Sequence, residues 1–196
     1  MRKIIVGEFL TLDGVMQAPG SSEEDATAGF KYGGWQLPYL DDEAGKILDE
    51  SMAETYGLLL GRVTYQIFAN YWPHAPAEDP NAKQMNGMHK FVVSTTLDKV
   101  EWINSTLIKQ NVAQEIAKLK QQPGTGNLVV VGSGKLAQSL ISYGLVDEYV
   151  LWIHHVVVGS GKRLFDNGIP RINLKLVDTK TTGTGIVVLS YVPERK

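Results

Sequence analysis

Residues 58–65 read Leu58-Leu59-Leu60-Gly61-Arg62-Val63-Thr64-Tyr65, an apolar run followed by a glycine and a predicted helix start. The run indicates a buried strand, and Gly61 allows a second backbone to approach closely. A helix N-terminus presents free N–H groups and a partial positive charge, which suit a phosphate. Arg62 would add a bidentate contact and Thr64 a hydroxyl donor. A solvated arginine beside an ordinary helix start fits the same residues equally well, so this turn alone leaves both interpretations open.

Strand-like and helical segments alternate on both sides of this turn. The alternation predicts an α/β fold with a mostly parallel central sheet and helices on both faces. The last two strands flank a Thr/Gly-rich turn and predict an antiparallel C-terminal hairpin at the edge of the sheet. With 196 residues, we expect a single domain over 1–196. Strands are predicted at 3–10, 57–61, 90–94, 127–132, 147–158, 173–178 and 185–192, and helices at 41–55, after Arg62, at 111–121 and at 135–143.

Composition excludes several classes of function. A formal net charge of −2 provides no basic stripe for nucleic acid, and the absence of cysteine excludes disulfides and thiolate-bound zinc. The four histidines form no His-x-x-x-His pair, so we expect no metal site. Glu8 and Asp13 interrupt the apolar N-terminus, which argues against a signal peptide, and no apolar segment is long enough to cross a bilayer. We therefore expect a cytoplasmic protein with no membrane partner.

Ligands of open α/β sheets bind beyond the carboxyl ends of the strands, so the other strand ends also matter. Asp13, in Thr11-Leu12-Asp13-Gly14, either forms a plain turn, which is the commoner case, or accepts hydrogen bonds from a substrate. Ser94 and Thr95 end a strand with two hydroxyls. These hydroxyls either bind phosphate or ribose oxygens or, more commonly, satisfy the backbone of their own turn.

A glycine-rich turn follows the predicted strand at 127–132. It reads Gly132-Ser133-Gly134-Lys135-Leu136-Ala137 and fits the G-x-G-x-x-A dinucleotide pattern. A Rossmann domain also needs an acid at the end of the next strand, but that strand ends in Ile153-His154-His155-Val156. The turn therefore fits pyrophosphate binding, whereas a Rossmann domain is not predicted.

Two loops and one strand contain residues that suit contact with a substrate. The aromatic segment 30–39, with Trp35 and Tyr39, predicts either a lid that stacks on a planar ring or an anchored loop, and we favour the lid. Arg163 is placed to meet an anionic substrate, although a solvated turn is the more frequent case. Because side chains alternate along a strand, either His154 or His155 faces inward, more often as a structural histidine than as a general acid.

Six motifs together resemble the dihydrofolate reductase-like family, and specifically its branch similar to the C-terminal reductase domain of bacterial riboflavin biosynthesis proteins. In order along nearly the whole chain they are Thr11-Leu12-Asp13-Gly14, Leu60-Gly61-Arg62-Val63-Thr64-Tyr65, Val93-Ser94-Thr95-Thr96-Leu97, Val131-Gly132-Ser133-Gly134-Lys135-Leu136, Gly144-Leu145-Val146-Asp147-Glu148 and Gly159-Ser160-Gly161-Lys162-Arg163-Leu164-Phe165.

The resemblance implies an NADPH-binding sheet. An arginine near the ribose suits the 2′-phosphate, which favours NADPH over NADH. By the resemblance, Gly61, Arg62 and Thr64 hold the adenosine phosphates and Ser94 and Thr95 lie beside the adenine ribose. The pyrophosphate meets Gly132, Ser133, Gly134, Lys135 and Leu136.

The resemblance also implies hydride transfer from NADPH to a small heterocycle of the riboflavin-pathway aminouracil or pterin type. Asp13 is the acid that matches the branch's motif, so we predict it as the catalytic residue, with Trp35, Tyr39 and Arg163 contacting substrate. Dihydrofolate reductases carry a carboxylate on their first helix, but here that position falls near Gly45, so folate reduction by the usual mechanism is not expected.

Two other functions remain open because no proton donor is evident in the sequence. The alternative is a catalytically silent NADPH- or nucleotide-binding protein on the same fold. A flavin-dependent reductase is a third. Symmetric dimers are the commonest oligomers and the resembled branch often forms them, so we expect a homodimer.

Overall fold

The computed structural model describes residues 1–166 and 168–194. Within these two ranges, no helix is both long and apolar enough to span a membrane. The strands are β1 (Ile4–Thr11), β2 (Thr55–Gly61), β3 (His89–Val93), β4 (Ser105–Ile108), β5 (Asn127–Val130), β6 (Glu148–His154), β7 (Leu174–Thr181) and β8 (Val187–Pro193). The α-helices are α1 (Asp42–Ala53), α2 (Arg62–Tyr71), α3 (Pro80–Gly87), α4 (Val112–Gln121) and α5 (Gly134–Ser142), and short 3-10 helices lie at Thr27–Gly29, Leu37–Tyr39 and Trp72–His74.

The strands form one eight-stranded sheet in the order β4-β3-β2-β5-β1-β6-β8-β7. All pairs from β4 to β6 are parallel, and β8 lies antiparallel between β6 and β7. The predicted α/β fold, with its mostly parallel sheet and antiparallel C-terminal edge pair, is confirmed. Because parallel strands share a direction, β1, β2, β3, β5 and β6 all end at the same edge of the sheet.

The helices cover both faces of the sheet, as predicted. Leu58 packs with side chains of α1, α2 and α3, whereas Leu59, the next residue of β2, packs with side chains of α4 and α5. Neighbouring residues of a strand point to opposite faces, so the two groups of helices lie on opposite sides. On β6, Trp152 packs with α1 and its neighbour Leu151 belongs to the cluster under α4 and α5.

One strand and one α-helix were not predicted, and the strands predicted at 127–132 and 147–158 extend beyond β5 and β6. β4 has only four residues and buries only Ile108, so its sequence carries no clear period. α3 follows a proline-rich stretch that does not suggest a helix, yet Pro80 occupies its first turn, where proline is tolerated, and the Asp79 side chain caps it. The strand predicted at 147–158 ends at His154, because the chain beyond leaves the sheet.

The close spacing of β2 and β3 can be tested by a substitution at Gly57. A Cβ at Gly57 would lie 2.9 Å from the His89 carbonyl oxygen and 3.1 Å from a ring carbon of Phe91. We expect Gly57→Ala to lower the free energy of unfolding in urea by about 1–3 kcal/mol, because backbone must move to admit the methyl group. Gly45→Ala is the control: that position in α1 has open space, and alanine should stabilise the helix by about 0.5–1 kcal/mol. If the two substitutions changed the free energy of unfolding equally, the close spacing of β2 and β3 at Gly57 would be contradicted.

Candidate functional site

The loops that follow β1 and β6 are tied together by the Asp13 carboxylate. Its Oδ1 accepts from the Thr11 hydroxyl at 2.6 Å and from the Val158 N–H at 3.2 Å, and its Oδ2 accepts from the Gly159 N–H at 2.9 Å. Arg163 lies 3.6 Å from Oδ2 and donates from Nε to the Asp13 carbonyl oxygen. The Thr11 hydroxyl, followed by the two backbone N–H groups, lowers the pKa of Asp13. The predicted catalytic residue Asp13 and the predicted substrate residue Arg163 thus both organise loops, and their contact with substrate stays a prediction.

The glycine turns after β2 and β5 pack against each other. The Gly61 N–H donates to the Ser133 hydroxyl oxygen at 2.9 Å. Gly132 has a φ of +64°, and a Cβ there would lie 3.2 Å from the Thr64 Cγ2. A side chain at Gly132 would therefore be strained by the left-handed backbone and crowded against Thr64. The structure brings together Gly61, Thr64, Gly132 and Ser133, which the sequence places about seventy positions apart.

Two helix N-termini open at this junction. α2 begins after Gly61 and α5 begins after Ser133, and neither residue caps its own helix through a side chain. The Ser133 hydroxyl instead accepts from Gly61. The first N–H groups of both helices thus have no side-chain cap from these N-cap residues. Uncapped helix N-termini bind anions through their N–H groups and the partial positive charge of the helix.

The remaining predicted cofactor residues differ in exposure. Arg62 is exposed, and its Nη1 donates to Gln66 Oε1 at 2.9 Å. Ser94 is buried and its hydroxyl oxygen accepts from the N–H groups of Thr96 and Leu97, so it satisfies its own turn, which is the commoner of the two cases predicted. Thr95 and Lys135 are exposed, whereas the side chain of Leu136 is in the core. At Leu136 only the backbone is left to meet a ligand.

The aromatic loop is anchored. The Trp35 side chain is buried and its indole N–H donates to the Gln17 carbonyl oxygen at 2.8 Å. Tyr39 is partly buried, and its ring lies edge-on to His155 with centroids 4.5 Å apart. The anchoring bond of Trp35 is the feature that the loop-anchoring alternative describes, and stacking of either ring on substrate, as in the favoured lid, stays a prediction.

His154 is the inward-facing histidine of the pair and is fully buried. Its Nδ1 lies 3.0 Å from the Trp152 carbonyl oxygen and 3.3 Å from that of Leu10, which assigns the proton to Nδ1. Its Nε2 has no hydrogen-bond partner in the part of the chain that the structure describes. The rings of Trp35 and Tyr39 lie edge-on beside it, and burial lowers its pKa. A neutral imidazole of this tautomer offers Nε2 as an acceptor for an N–H donor.

Glu8 is a site residue that the sequence analysis missed. It lies on β1 and is 2% exposed, and its Oε2 accepts from the Gly132 N–H at 2.9 Å. Burial raises its pKa to about 8. A signal was present in the sequence, because Ile4, Val6 and Leu10 alternate along the buried face of β1 and Glu8 occupies that same face.

The start of α1 carries no carboxylate that is free for chemistry at the position expected from dihydrofolate reductases. Asp41 accepts from the Ala44 N–H at 2.7 Å and from the Thr184 N–H at 2.9 Å, and the Ala44 bond above all lowers its pKa. Asp41 therefore caps α1 and holds the C-terminal hairpin. Gly45, where the family's acid was expected, contributes no side chain.

Comparison with known proteins gives a consistent assignment. A family profile described as the RibD C-terminal domain matches residues 2–188. An uncharacterised protein of Bacillus subtilis, YyaP, is 31% identical over 195 residues, which covers 97% of this chain and 94% of YyaP.

Two solved structures share the fold. A Shewanella sp. PV-4 protein described as a riboflavin biosynthesis protein superposes with a TM-score of 0.76 at 18% identity, covering 98% of this chain and 99% of that one. Dihydrofolate reductase from Enterococcus faecalis, solved in complex with NADP(H), superposes with a TM-score of 0.60 at 16% identity, covering 98% and 97% of the two chains. At these identities the likeness shows a dihydrofolate reductase-like fold.

Asp13 can be tested as an organising anion by stability and pH. We expect Asp13→Asn to lower the free energy of unfolding by about 1–3 kcal/mol at neutral pH, because the amide cannot accept all the bonds of the carboxylate. A lowered pKa means that the carboxylate contributes stability above its unfolded pKa of 3.8 and loses it as the pH falls further. In thermal unfolding experiments, the difference in melting temperature between wild type and Asp13→Asn should therefore become smaller below about pH 4.

Asp98→Asn is the matched control, since the Asp98 side chain is 98% exposed and pairs only with Lys109 among the salt bridges found in the described residues. Its effect should stay within about 0.5 kcal/mol. If the stability difference between wild type and Asp13→Asn did not change with pH, the role given to the carboxylate would be contradicted.

Proposed function

The chain belongs to the RibD C-terminal domain family, and on that basis we propose that it is an NADPH-dependent reductase. It would transfer a hydride to a small heterocycle of the aminouracil or pterin type. The observation that carries the proposal is the junction of α2 and α5, whose N-termini meet through the Gly61–Ser133 hydrogen bond at the edge where the parallel strands end.

The chain's own residues suit a dinucleotide phosphate. Gly132 is exposed and carries no side chain, so its backbone is open to close approach, and α5 begins two residues later. Arg62 is exposed at the first position of α2, where its guanidinium suits the 2′-phosphate of NADPH. Bound NADPH would supply the hydride, and the protein would bind, orient and shield it.

The substrate is proposed to lie on the α1 face of the sheet. His154, Trp35 and Tyr39 meet there, and because His154 and Trp35 are buried, the partly buried Tyr39 is the member of this group that would contact the heterocycle. Asp13 and Arg163 hold the neighbouring loops. Since Asp13 and Asp41 are both held by bonds within the protein, we propose that water supplies the proton.

One observation favours the second candidate, a catalytically silent nucleotide-binding protein. Asp13 at the end of β1 and Asp41 at the N-cap of α1 both accept hydrogen bonds within the protein, which fits a scaffold that binds without reacting. The single domain over 1–196, the homodimer and the cytoplasmic location stay predictions.

Titration with reduced cofactor separates these candidates. The chain has four tryptophans, so energy transfer from their fluorescence to bound reduced nicotinamide gives a binding signal. We expect saturable binding of NADPH, weaker binding of NADH, and oxidation of NADPH on addition of an aminouracil or a pterin. Binding without turnover of any heterocycle or simple carbonyl would support the silent protein, and no saturable binding would refute both.

Arg62 provides the sharpest test of cofactor choice. We expect Arg62→Ala to weaken NADPH binding about 10- to 100-fold, the cost of losing one or two charged hydrogen bonds, and to leave NADH binding nearly unchanged. Arg171→Ala, at an exposed arginine just before β7, should change neither. If Arg62→Ala kept the preference of wild type for NADPH over NADH, the assignment of Arg62 to the 2′-phosphate would be wrong.

A further inference from the structure

Glu8 lies directly beneath the glycine turn of the candidate site. It occupies the central strand β1 and points to the face covered by α4 and α5, on which Ile4, Val6 and Leu10 are buried. Its Oε2 accepts from the Gly132 N–H at 2.9 Å. Its Oε1 is buried and has no hydrogen-bond partner among the residues described.

Among the residues that the structure describes, no cation forms a salt bridge with this carboxyl group. In the described part of the chain, Tyr149 on β6 shares its face, and burial raises the pKa of that phenol to about 12, so it stays neutral. Lys135 on α5 is exposed. In the flanking loops, Arg163 pairs with Asp13 and Lys162 pairs with Asp25.

The free energy of an unpaired buried carboxylate is high, so the neutral acid is the favoured form. Burial accordingly raises the pKa of Glu8 to about 8, opposed only by the Gly132 hydrogen bond. At neutral pH the side chain is protonated, and it becomes an anion as the pH rises through this value.

The hydrogen bond to Glu8 also fixes the shape of the turn. Gly132 is held from below by Glu8 and from the side by Thr64. At Gly134 an added Cβ would lie 2.8 Å from the Met16 sulfur, so the turn also packs closely against that side chain. Through its hydrogen bond to Gly132, one protonatable group therefore contributes to the conformation of the backbone that would receive the anionic cofactor.

We propose that Glu8 is a positioning residue that orients the turn from Gly132 to Leu136 for the cofactor, and that loss of its proton weakens binding of the cofactor phosphates. The proposal rests on the proposed function, because it needs an anionic dinucleotide at this turn. A buried anion beneath the turn would repel the phosphates and cancel the attraction of the α5 N-terminus.

The test compares wild type with Glu8→Gln. Glutamine keeps the volume and an oxygen that accepts from Gly132, but it cannot ionise. We expect NADPH dissociation constants within about threefold of each other near pH 7. At about pH 9.5 we expect wild type to bind about tenfold or more weakly than Glu8→Gln, a difference of about 1.4 kcal/mol. Working above pH 7 avoids the titration of the 2′-phosphate itself, whose pKa is about 6.

Calorimetry in buffers of different ionisation enthalpy adds a readout that a merely structural role would not move. Because linkage is reciprocal, NADPH binding near pH 8 should be accompanied by proton uptake in wild type and by none in Glu8→Gln. Lys90→Met is the control, since burial lowers the pKa of Lys90 to about 8 at the opposite end of β3. That variant should keep the pH dependence of wild type.

A measurement without cofactor keeps this proposal separable from the proposed function. The amide resonance of Gly132, followed by NMR, should titrate near pH 8 in wild type and stay constant in Glu8→Gln. If NADPH does not bind at any pH, the proposed function and the cofactor half of this proposal fail together, while the amide titration still reports on Glu8. If NADPH binds with the same pH dependence in both proteins, or if the Gly132 amide does not titrate, Glu8 has no such role.

Discussion

Parallel pairing of β2 with β5, and of β5 with β1, is the constraint on which the candidate site depends. It forces the turns after these strands to one edge of the sheet, where Gly61 and Ser133 form a hydrogen bond. Because Gly61 ends β2 and Ser133 precedes α5, this bond joins two helix N-termini. A shift of β2 by one residue in register would turn its side chains to the other face of the sheet. It would also separate Gly61 from Ser133, and with them the two helix N-termini.

The two faces of the sheet carry different chemistry at this edge. Glu8 lies on the face of α4 and α5, beneath the Gly132 turn, and His154 lies on the face of α1 among the aromatic rings of the loop. Each is buried with one polar atom that has no partner in the described residues. Such atoms cost free energy in an apolar core. Both atoms lie next to elements of the candidate site, Glu8 Oε1 beneath the Gly132 turn and His154 Nε2 behind the aromatic loop.

The fold was largely predictable because its signals are local. Apolar runs, glycine turns and helix starts such as Leu58–Leu60, Gly61 and Arg62 each act within a few residues, and together they predicted most of the sheet and four of the five α-helices. The missed β4 is held by its pairing with β3, and the missed α3 by burial of Ala82 and Met85. Both depend on contacts that short sequence windows do not contain.

The sequence by itself determined the α/β class, the motifs at the strand ends and the absence of cysteine chemistry, since each follows from residue type and spacing. Only the tertiary structure decided how the motif side chains are used. In the tertiary structure Trp35 anchors its loop through its indole N–H, and the Asp13 carboxylate accepts a hydrogen bond from the Gly159 N–H. His154, and not His155, is the buried imidazole. The tertiary structure also places Glu8 beneath Gly132. The physical reason is that hydrogen-bond partners and desolvation depend on which distant segments pack together, and residue spacing does not fix that packing.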